Sequence, residues 1–312
     1  MNKNSLLTLI AIFVTAIAFG QKPLSKGDHF ADINGINMHY YVSGKGPVCL
    51  VPTPGWGPSI NYLKNSLSPL EKYFTIVYYD TRISGQSSGP EDYRKYTTLD
   101  FMNDMDSLRS YLKQPKVWIM GHSMGGFQVL NYGIHHSDKL YGIIALSAKV
   151  TSDSIWDSNF TKMVMKRQGQ PFFEKGANIF LGKDTTNYKN SELMGYIFPF
   201  YFHDVNKIAA FEKLGDPGMS DKAGELTDKG GFGRENLLPA LNKINVPTLV
   251  VVGDDDFICD KVSQSDRIVK NVAKSTEIVI KDAGHFSWIE QPTQFFAAVE
   301  SWLKKQKLKK QK

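Results

Sequence analysis

Short apolar runs, each bounded by turn residues, limit the possible folds of this chain more than any other feature. They occupy residues 30–33, 36–42, 48–51, 74–79, 117–120, 141–146, 248–252 and 276–280. Helix-like stretches lie between most of them, at residues 61–70, 99–112, 124–135, 261–272 and 293–303. Buried parallel strands form such runs, and strands that alternate with helices assemble into a sheet covered on both faces. The chain is therefore predicted to have an α/β fold with a mostly parallel, doubly wound sheet.

Two segments depart from this alternation. Asn34 and Gly35 join the first two runs, and an Asn-Gly pair between two strands predicts a β-hairpin at the start of the sheet. Residues 151–240 contain no buried run but several aromatic-rich helical pieces, which predicts an inserted helical cap. The core is thus expected to consist of residues 21–150 and 241–303.

The two ends of the chain are expected to lie outside this core. Residues 6–19 are apolar except for two threonines, and small residues stand at positions 18 and 20. This run is shorter than the roughly 20 residues that span a bilayer, so residues 1–20 are predicted to be a cleaved signal peptide rather than an anchor. We therefore expect export to the periplasm or the medium of a bacterium, without stable membrane insertion. Residues 304–312 form a lysine-rich tail, predicted to be a frayed helix end.

Charge and cysteine content exclude several classes of protein. The net charge is +6, but without Lys3 and the six lysines of the last nine residues the chain carries 30 basic and 31 acidic side chains. Because the sequence shows no basic face with interleaved aromatic residues, we expect no nucleic-acid partner. An apolar fraction of 42% excludes overall disorder. Cys49 falls in a buried run and Cys259 in a polar loop, so we expect two free thiols.

The strongest chemical signal is Gly121-His122-Ser123-Met124-Gly125, which follows a predicted strand and precedes a predicted helix. A G-x-S-x-G pattern in this context is typical of a nucleophile elbow. The sharp turn requires small residues two positions before and after the serine, and Gly121 and Gly125 meet this requirement. The turn also presents Ser123 at a helix N-terminus, where free N–H groups favour developing negative charge. Ser123 is therefore predicted to be a nucleophile.

A serine hydroxyl needs a base, and the base needs an acid to orient it. His285 differs from the other six histidines because it follows a predicted strand at the carboxyl edge of the sheet, the edge that also carries Ser123. We predict that His285 acts as general base and then as general acid. The preceding strand runs into Asp254, Asp255 and Asp256 at the same edge. We choose Asp256 as the orienting acid, with Asp254 and Asp255 as rivals, because at most one of the three can reach the imidazole.

The order serine, aspartate, histidine along the chain is that of α/β-hydrolases. Over nearly the whole mature chain, the sequence resembles the proline iminopeptidase-like group of that superfamily. The resemblance rests on residues 121–126, a G-x-x-D pattern at 253–256, Ala-Gly-His at 283–285, and a turn at 79–87 similar to D-x-R-G-x-G-x-S, with Ile83 in place of a glycine. It implies an α/β-hydrolase fold and serine hydrolysis, and no cofactor or metal.

The loop after the third predicted strand departs most from that group. Where its members have H-G-G-P-G, this chain reads P-T-P-G-W-G-P at residues 52–58. Aligning Pro52 with the histidine would place Pro54, which has no N–H, at the position that stabilises an oxyanion. Aligning Pro54 instead places Trp56 there, so the N–H groups of Trp56 and Met124 are predicted to form the oxyanion hole. The missing histidine and glycine argue against an aminopeptidase in particular, but they leave acyl transfer intact.

Together these residues predict a serine hydrolase that cleaves a carboxylic ester or amide bond of a small ester or a short peptide through an acyl-enzyme on Ser123. The resemblance implies removal of an N-terminal proline, for which cap acids would bind the substrate ammonium group. The candidates are Glu174, Glu192, Glu212, Glu225 and Glu235. Hydrolysis of a small ester or lactone is the alternative, and a non-catalytic binding protein or a cofactor-free lyase or perhydrolase also stays open. The sequence indicates neither the substrate-binding residues nor the oligomeric state.

Overall fold

A computed structural model describes residues 24–306 and residue 308, and it contains one eight-stranded sheet. Its strands are β1 (Gly27–Ile33), β2 (Ile36–Gly44), β3 (Val48–Pro52), β4 (Thr75–Tyr79), β5 (Val117–His122), β6 (Leu140–Leu146), β7 (Thr248–Gly253) and β8 (Ser275–Ile280). Their order is β1-β2-β4-β3-β5-β6-β7-β8. Strand β2 runs antiparallel to both of its neighbours, and the other pairings are parallel. The predicted eight strands and the mostly parallel sheet are confirmed.

Helices cover both faces of the sheet and form the segment between β6 and β7. They are α1 (Asn61–Ser66), α2 (Thr98–Tyr111), α3 (Met124–His136), α4 (Ser154–Met165), α5 (Phe173–Phe180), α6 (Asn190–Ile197), α7 (Ile208–Glu212), α8 (Asp221–Gly230), α9 (Asp266–Asn271), α10 (Ser287–Glu290) and α11 (Pro292–Lys305). The helix predicted at 61–70 divides in two, because α1 ends at Ser66 and Pro69 lies in the first turn of a separate 3₁₀ helix, Ser68–Lys72.

The central strands β3 to β7 alternate their side chains between two cores, as the period of a buried strand requires. In β3, Val48 and Leu50 join the core under α2, α3 and α9, whereas Cys49 and Val51 join the core under α1 and α11. The predicted hairpin between β1 and β2 is present, with positive φ angles at its two turn residues. Cys49 and Cys259 are free, as expected, and both are buried, although Cys259 was predicted to lie in a polar loop.

The segment between β6 and β7 contains the five helices α4 to α8 and no strand; the structure describes all of its residues. We call residues 151–240 of this segment the insertion. A helical insertion was predicted from the sequence, and its limits at 151 and 240 stay a prediction.

The predictions for the chain ends fall largely outside the described residues. The signal peptide at 1–20 lies wholly outside them, so export stays a prediction. Of the lysine-rich tail, α11 includes Lys304 and Lys305. Within the described part of the chain, no helix is both long and apolar enough to cross a bilayer.

Candidate active site

The turn between β5 and α3 holds Ser123 in a strained conformation. Its φ of 58° and ψ of −120° belong to a region that residues with a Cβ rarely adopt. A Cβ on Gly121 would lie 2.1 Å from the Gly125 carbonyl oxygen, so glycine is required there. At Gly125 the nearest atom would be 3.2 Å away, whereas a Cβ on Gly126 would lie 2.4 Å from that of Ala148. The turn therefore depends on Gly121 and Gly126 more than on Gly125.

His285 lies in the loop after β8, where its ring pairs with a carboxylate. Its Nδ1 lies 2.9 Å from Oδ2 of Asp256, and both side chains are at most 1% exposed. The other carboxylate oxygen of Asp256 accepts the N–H groups of Ile258 and Cys259 at 3.1 and 3.0 Å. The carboxylate thus fixes the proton on Nδ1 and leaves Nε2 of His285 free to act as a base.

The three consecutive aspartates have different surroundings. Asp254 is exposed and accepts the N–H of Ala283. Asp255 points toward the insertion, where it pairs with Arg167 at 3.3 Å, with His203 at 3.1 Å and with Lys166. The structure therefore places Asp256, rather than either of its rivals, against His285.

The surroundings of Asp256 favour its charged form. Burial by itself would raise the pKa of this carboxyl, but the charge and the hydrogen bond of His285, together with the N–H of Cys259, hold the pKa below its usual value. A charged Asp256 can stabilise an imidazolium that forms on His285 during catalysis.

His122, to which the sequence analysis assigned no role, contacts the backbone of His285. Its Nε2 lies 3.1 Å from the backbone oxygen of His285, and its Nδ1 lies 3.1 Å from the hydroxyl of Tyr62. Burial, and then the nearby charge of His285, lower the pKa of His122 well below its usual value. His122 is therefore neutral, donating through Nε2 and accepting from Tyr62.

The two predicted oxyanion donors have unpaired backbone N–H groups. Met124 is the first residue of α3, and its N–H donates to no described residue. Trp56 lies in the loop after β3, and its N–H likewise has no acceptor among the described residues. An oxyanion-hole donor must be free of other acceptors, which both groups are among the described residues, and their role in an oxyanion hole stays a prediction.

A cavity of about 470 Å³ opens beside these groups. Ser123, His285 and Trp56 are among the residues that line it. The insertion contributes a mainly apolar part of the lining, which we call the apolar wall: Met194, Phe198, Pro199, Tyr201, Ile208, Phe211, Pro217 and Met219. A cavity of this size and character suits a small substrate with an apolar group.

Two acidic residues of the insertion, Glu212 and Asp216, also line this cavity, and both are exposed. Of the five glutamates considered from sequence, all of which the structure describes, Glu212 is the one on the cavity wall. Glu225 pairs with Lys229 at 2.6 Å, and Glu235 accepts the hydroxyl of Thr98.

Sequence analysis did not identify Glu290, which connects the insertion to the loop that carries His285. Both carboxylate oxygens of the buried Glu290 accept backbone N–H groups: one those of His203 and Asp204 in the insertion, the other that of Gly284 beside the histidine. The N–H of His285 donates to the Tyr201 carbonyl at 2.7 Å. No local motif marks these contacts, because they join segments far apart in the chain.

The chain is similar in sequence to one protein family and to several characterised proteins. A family model described as alpha/beta hydrolase fold matches residues 48–292. A proline iminopeptidase of Lactobacillus helveticus is 25% identical over 242 residues, covering 73% of this chain and 79% of the relative. The 3-oxoadipate enol-lactonase 2 of Acinetobacter baylyi is 25% identical over 253 residues, covering 80% of this chain and 84% of the relative.

A solved structure of similar fold is that of a proline iminopeptidase-related protein from Thermus thermophilus. It superposes with a TM-score of 0.73 at 20% identity, over 90% of this chain and 98% of that one.

Proposed function

Because the chain belongs to the α/β-hydrolase fold family, we propose that it is a serine hydrolase that cleaves carboxylic esters of small molecules. The observation that carries this proposal is the position of Ser123. It stands on a strained turn at the head of α3 and shares one cavity with His285, whose other ring nitrogen is held by Asp256. This is the arrangement that activates a serine for acyl transfer.

Each group in the proposed reaction has one task. His285 Nε2 takes the proton of Ser123 as Oγ bonds to the substrate carbonyl carbon, and the carbonyl oxygen becomes an oxyanion beside the Trp56 and Met124 amides. When the ester C–O bond breaks, His285 returns this proton to the leaving alkoxide. Water then attacks the acyl-enzyme in the same way, releases the acid and restores Ser123.

The apolar wall of the cavity favours an ester over a peptide as substrate. Burying an apolar group contributes about 25 cal/mol for each Å² removed from water, so an uncharged acyl chain gains binding energy along this wall. An enol-lactonase among the relatives is consistent with an ester-type substrate.

Fluorophosphonate labelling and hydrolysis of p-nitrophenyl butyrate test this proposal. We expect the folded protein to be labelled on Ser123, as located by peptide mass spectrometry, and to hydrolyse the ester. If folded protein is neither labelled nor active on this ester, the hydrolase proposal fails and a non-catalytic or lyase role on the same scaffold takes its place.

A second candidate, an aminopeptidase, is supported by Glu212 on the cavity wall and by the iminopeptidases among the relatives. The ammonium group of a peptide could pair with this carboxylate while its carbonyl carbon faces Ser123. We expect Glu212→Gln to raise KM for prolyl p-nitroanilide about two- to five-fold, a modest effect because the carboxylate is exposed. KM for p-nitrophenyl butyrate should stay the same.

Glu192→Gln is the matched control, because Glu192 is an exposed glutamate of the insertion that does not line the cavity. Absence of anilide turnover by the unmodified protein would eliminate the aminopeptidase and leave the esterase proposal standing.

A further inference from the structure

Residues 54–58 form the loop that carries the Trp56 amide, and their backbone N–H groups make no hydrogen bond to a described residue. Gly55 and Gly57, on either side of Trp56, have φ angles of +93° and +150°, which only glycine adopts readily. Neither glycine N–H donates to a described residue, and Pro54 and Pro58 have no N–H to donate. The backbone geometry of this loop must therefore be fixed by contacts from elsewhere.

The hydrogen bonds among those contacts come from the insertion, while Gly55 also packs against the ring of Phe101 in α2. Among the described residues, two hydrogen bonds reach the backbone of residues 54–58. Nδ2 of Asn190 donates to the Trp56 carbonyl at 2.7 Å, and the N–H of Ser220 donates to the Gly57 carbonyl at 3.0 Å. The bond from Asn190 is the one that acts directly on Trp56.

The Asn190 side chain is closely packed between this loop and α8. A Cβ on Gly224, inside α8, would lie 2.1 Å from Nδ2 of Asn190, and a Cβ on Gly57 would lie 3.3 Å from it. Asn190 begins α6, and the next residue, Ser191, hydrogen-bonds through its N–H and hydroxyl to Asp221 at the start of α8. Glycine within a helix is destabilising relative to alanine, yet at 224 it leaves the room that the amide occupies.

We infer that Asn190 is a positioning residue for the oxyanion hole, so that the insertion completes the catalytic machinery as well as walling the substrate cavity. This inference rests on the proposed hydrolase function. Asn190 holds the carbonyl of Trp56, in the peptide unit that follows the one carrying the Trp56 N–H, and it thereby limits the rotation of Trp56 between two conformationally free glycines. Hydrogen bonds weaken steeply with distance and angle, so a loosened loop stabilises the oxyanion less.

The effect should be confined to the transition state. Asn190 does not line the cavity, so its replacement removes no group from the cavity lining. An interaction that operates on the oxyanion lowers kcat and leaves KM nearly unchanged. A residue that merely supported the substrate pocket would raise KM instead.

Three substitutions test this inference by p-nitrophenyl butyrate kinetics and by the affinity of an alkyl trifluoromethyl ketone, which forms an oxyanion on Ser123. We expect Asn190→Ala and the isosteric Asn190→Asp to lower kcat about ten-fold or more, to leave KM within about two-fold, and to weaken the ketone in proportion to kcat. Gly224→Ala should do the same through its Cβ, which displaces only the end of the Asn190 side chain.

Gly224→Ala is expected to fold normally, because alanine is a better helix former than glycine within α8 and the new Cβ meets a flexible side chain. Its kinetics therefore stay interpretable even if the Asn190 variants fail to fold. Lys229→Ala, an exposed substitution on the same helix, is the matched control and should behave as the unmodified protein. Unchanged kcat and ketone affinity in folded Asn190→Asp and Gly224→Ala, or a rise in KM with constant kcat, would overturn the inference. Absence of labelling and hydrolysis in the unmodified protein would instead overturn the proposed function.

Discussion

Ser123→Ala is expected to lower kcat for p-nitrophenyl butyrate on the order of 10⁵-fold, and to abolish fluorophosphonate labelling. Alanine has no oxygen that could form the acyl-enzyme. A water molecule in the place of the hydroxyl is not held in position to attack the carbonyl carbon. The cavity wall and the His285–Asp256 pair remain, so substrate binding should change little. Stopped-flow or steady-state kinetics at saturating ester measure the effect.

Ser137→Ala is the control for this substitution. Ser137 follows the last residue of α3, at the opposite end of the helix and about 20 Å from Ser123. We expect this variant to keep the full kcat. Ser123→Gly should be as inactive as Ser123→Ala but more stable by about 1 kcal/mol in urea unfolding, because glycine relieves the positive φ at this position. Residual labelling of Ser123→Ala would show that another residue is the nucleophile.

Asp256→Asn is expected to lower kcat about 10⁴-fold while preserving the shape of the site. An asparagine amide facing Nδ1 of His285 favours the tautomer with the proton on Nε2, which can no longer accept the proton of Ser123. The neutral side chain also stops stabilising the imidazolium. Labelling by a fluorophosphonate should slow by a comparable factor, since it requires the same base.

Asp254 and Asp255, the two residues before Asp256, provide the controls for this substitution. Asp254→Asn, at an exposed position, should leave both kcat and stability unchanged. Asp255→Asn should lower the free energy of unfolding, since it leaves the buried Arg167 without its counter-ion, while kcat falls far less than in Asp256→Asn. If Asp255→Asn showed the larger loss of kcat, the assignment of the acid would be wrong.

The pH dependence of stability tests the state of Asp256 separately. Its pKa in the folded protein lies below the value of about 3.9 for an unfolded chain. The resulting stabilisation is therefore present above about pH 4 and is lost as the pH falls through the folded pKa. Asp256→Asn should lack this part of the acid sensitivity in urea unfolding from pH 7 to pH 3.

Local patterns predicted most of the fold because they act over a few residues. Each strand from β3 to β7 is a short apolar run whose alternate side chains enter different cores, so the run itself identifies the strand. The turn around Ser123 was predictable for the same reason, since a Cβ at Gly121 meets Gly125 only four residues away. The helix predicted at 61–70 ends at Ser66 instead, because Pro69 has no N–H to continue its hydrogen bonding and lies in the first turn of a separate 3₁₀ helix.

By itself, the sequence determined the order of strands and helices, the sheet type, the insertion, and the edge of the sheet at which Ser123, His285 and the three aspartates lie. Only the tertiary structure decided which aspartate faces the imidazole, that Glu212 reaches the cavity, and that Asn190 holds Trp56 from 134 residues away. The physical reason is the range of the interactions. Periodicity and turn geometry are fixed between near neighbours, whereas a hydrogen bond between loops exists only after the sheet has closed and brought their side chains together.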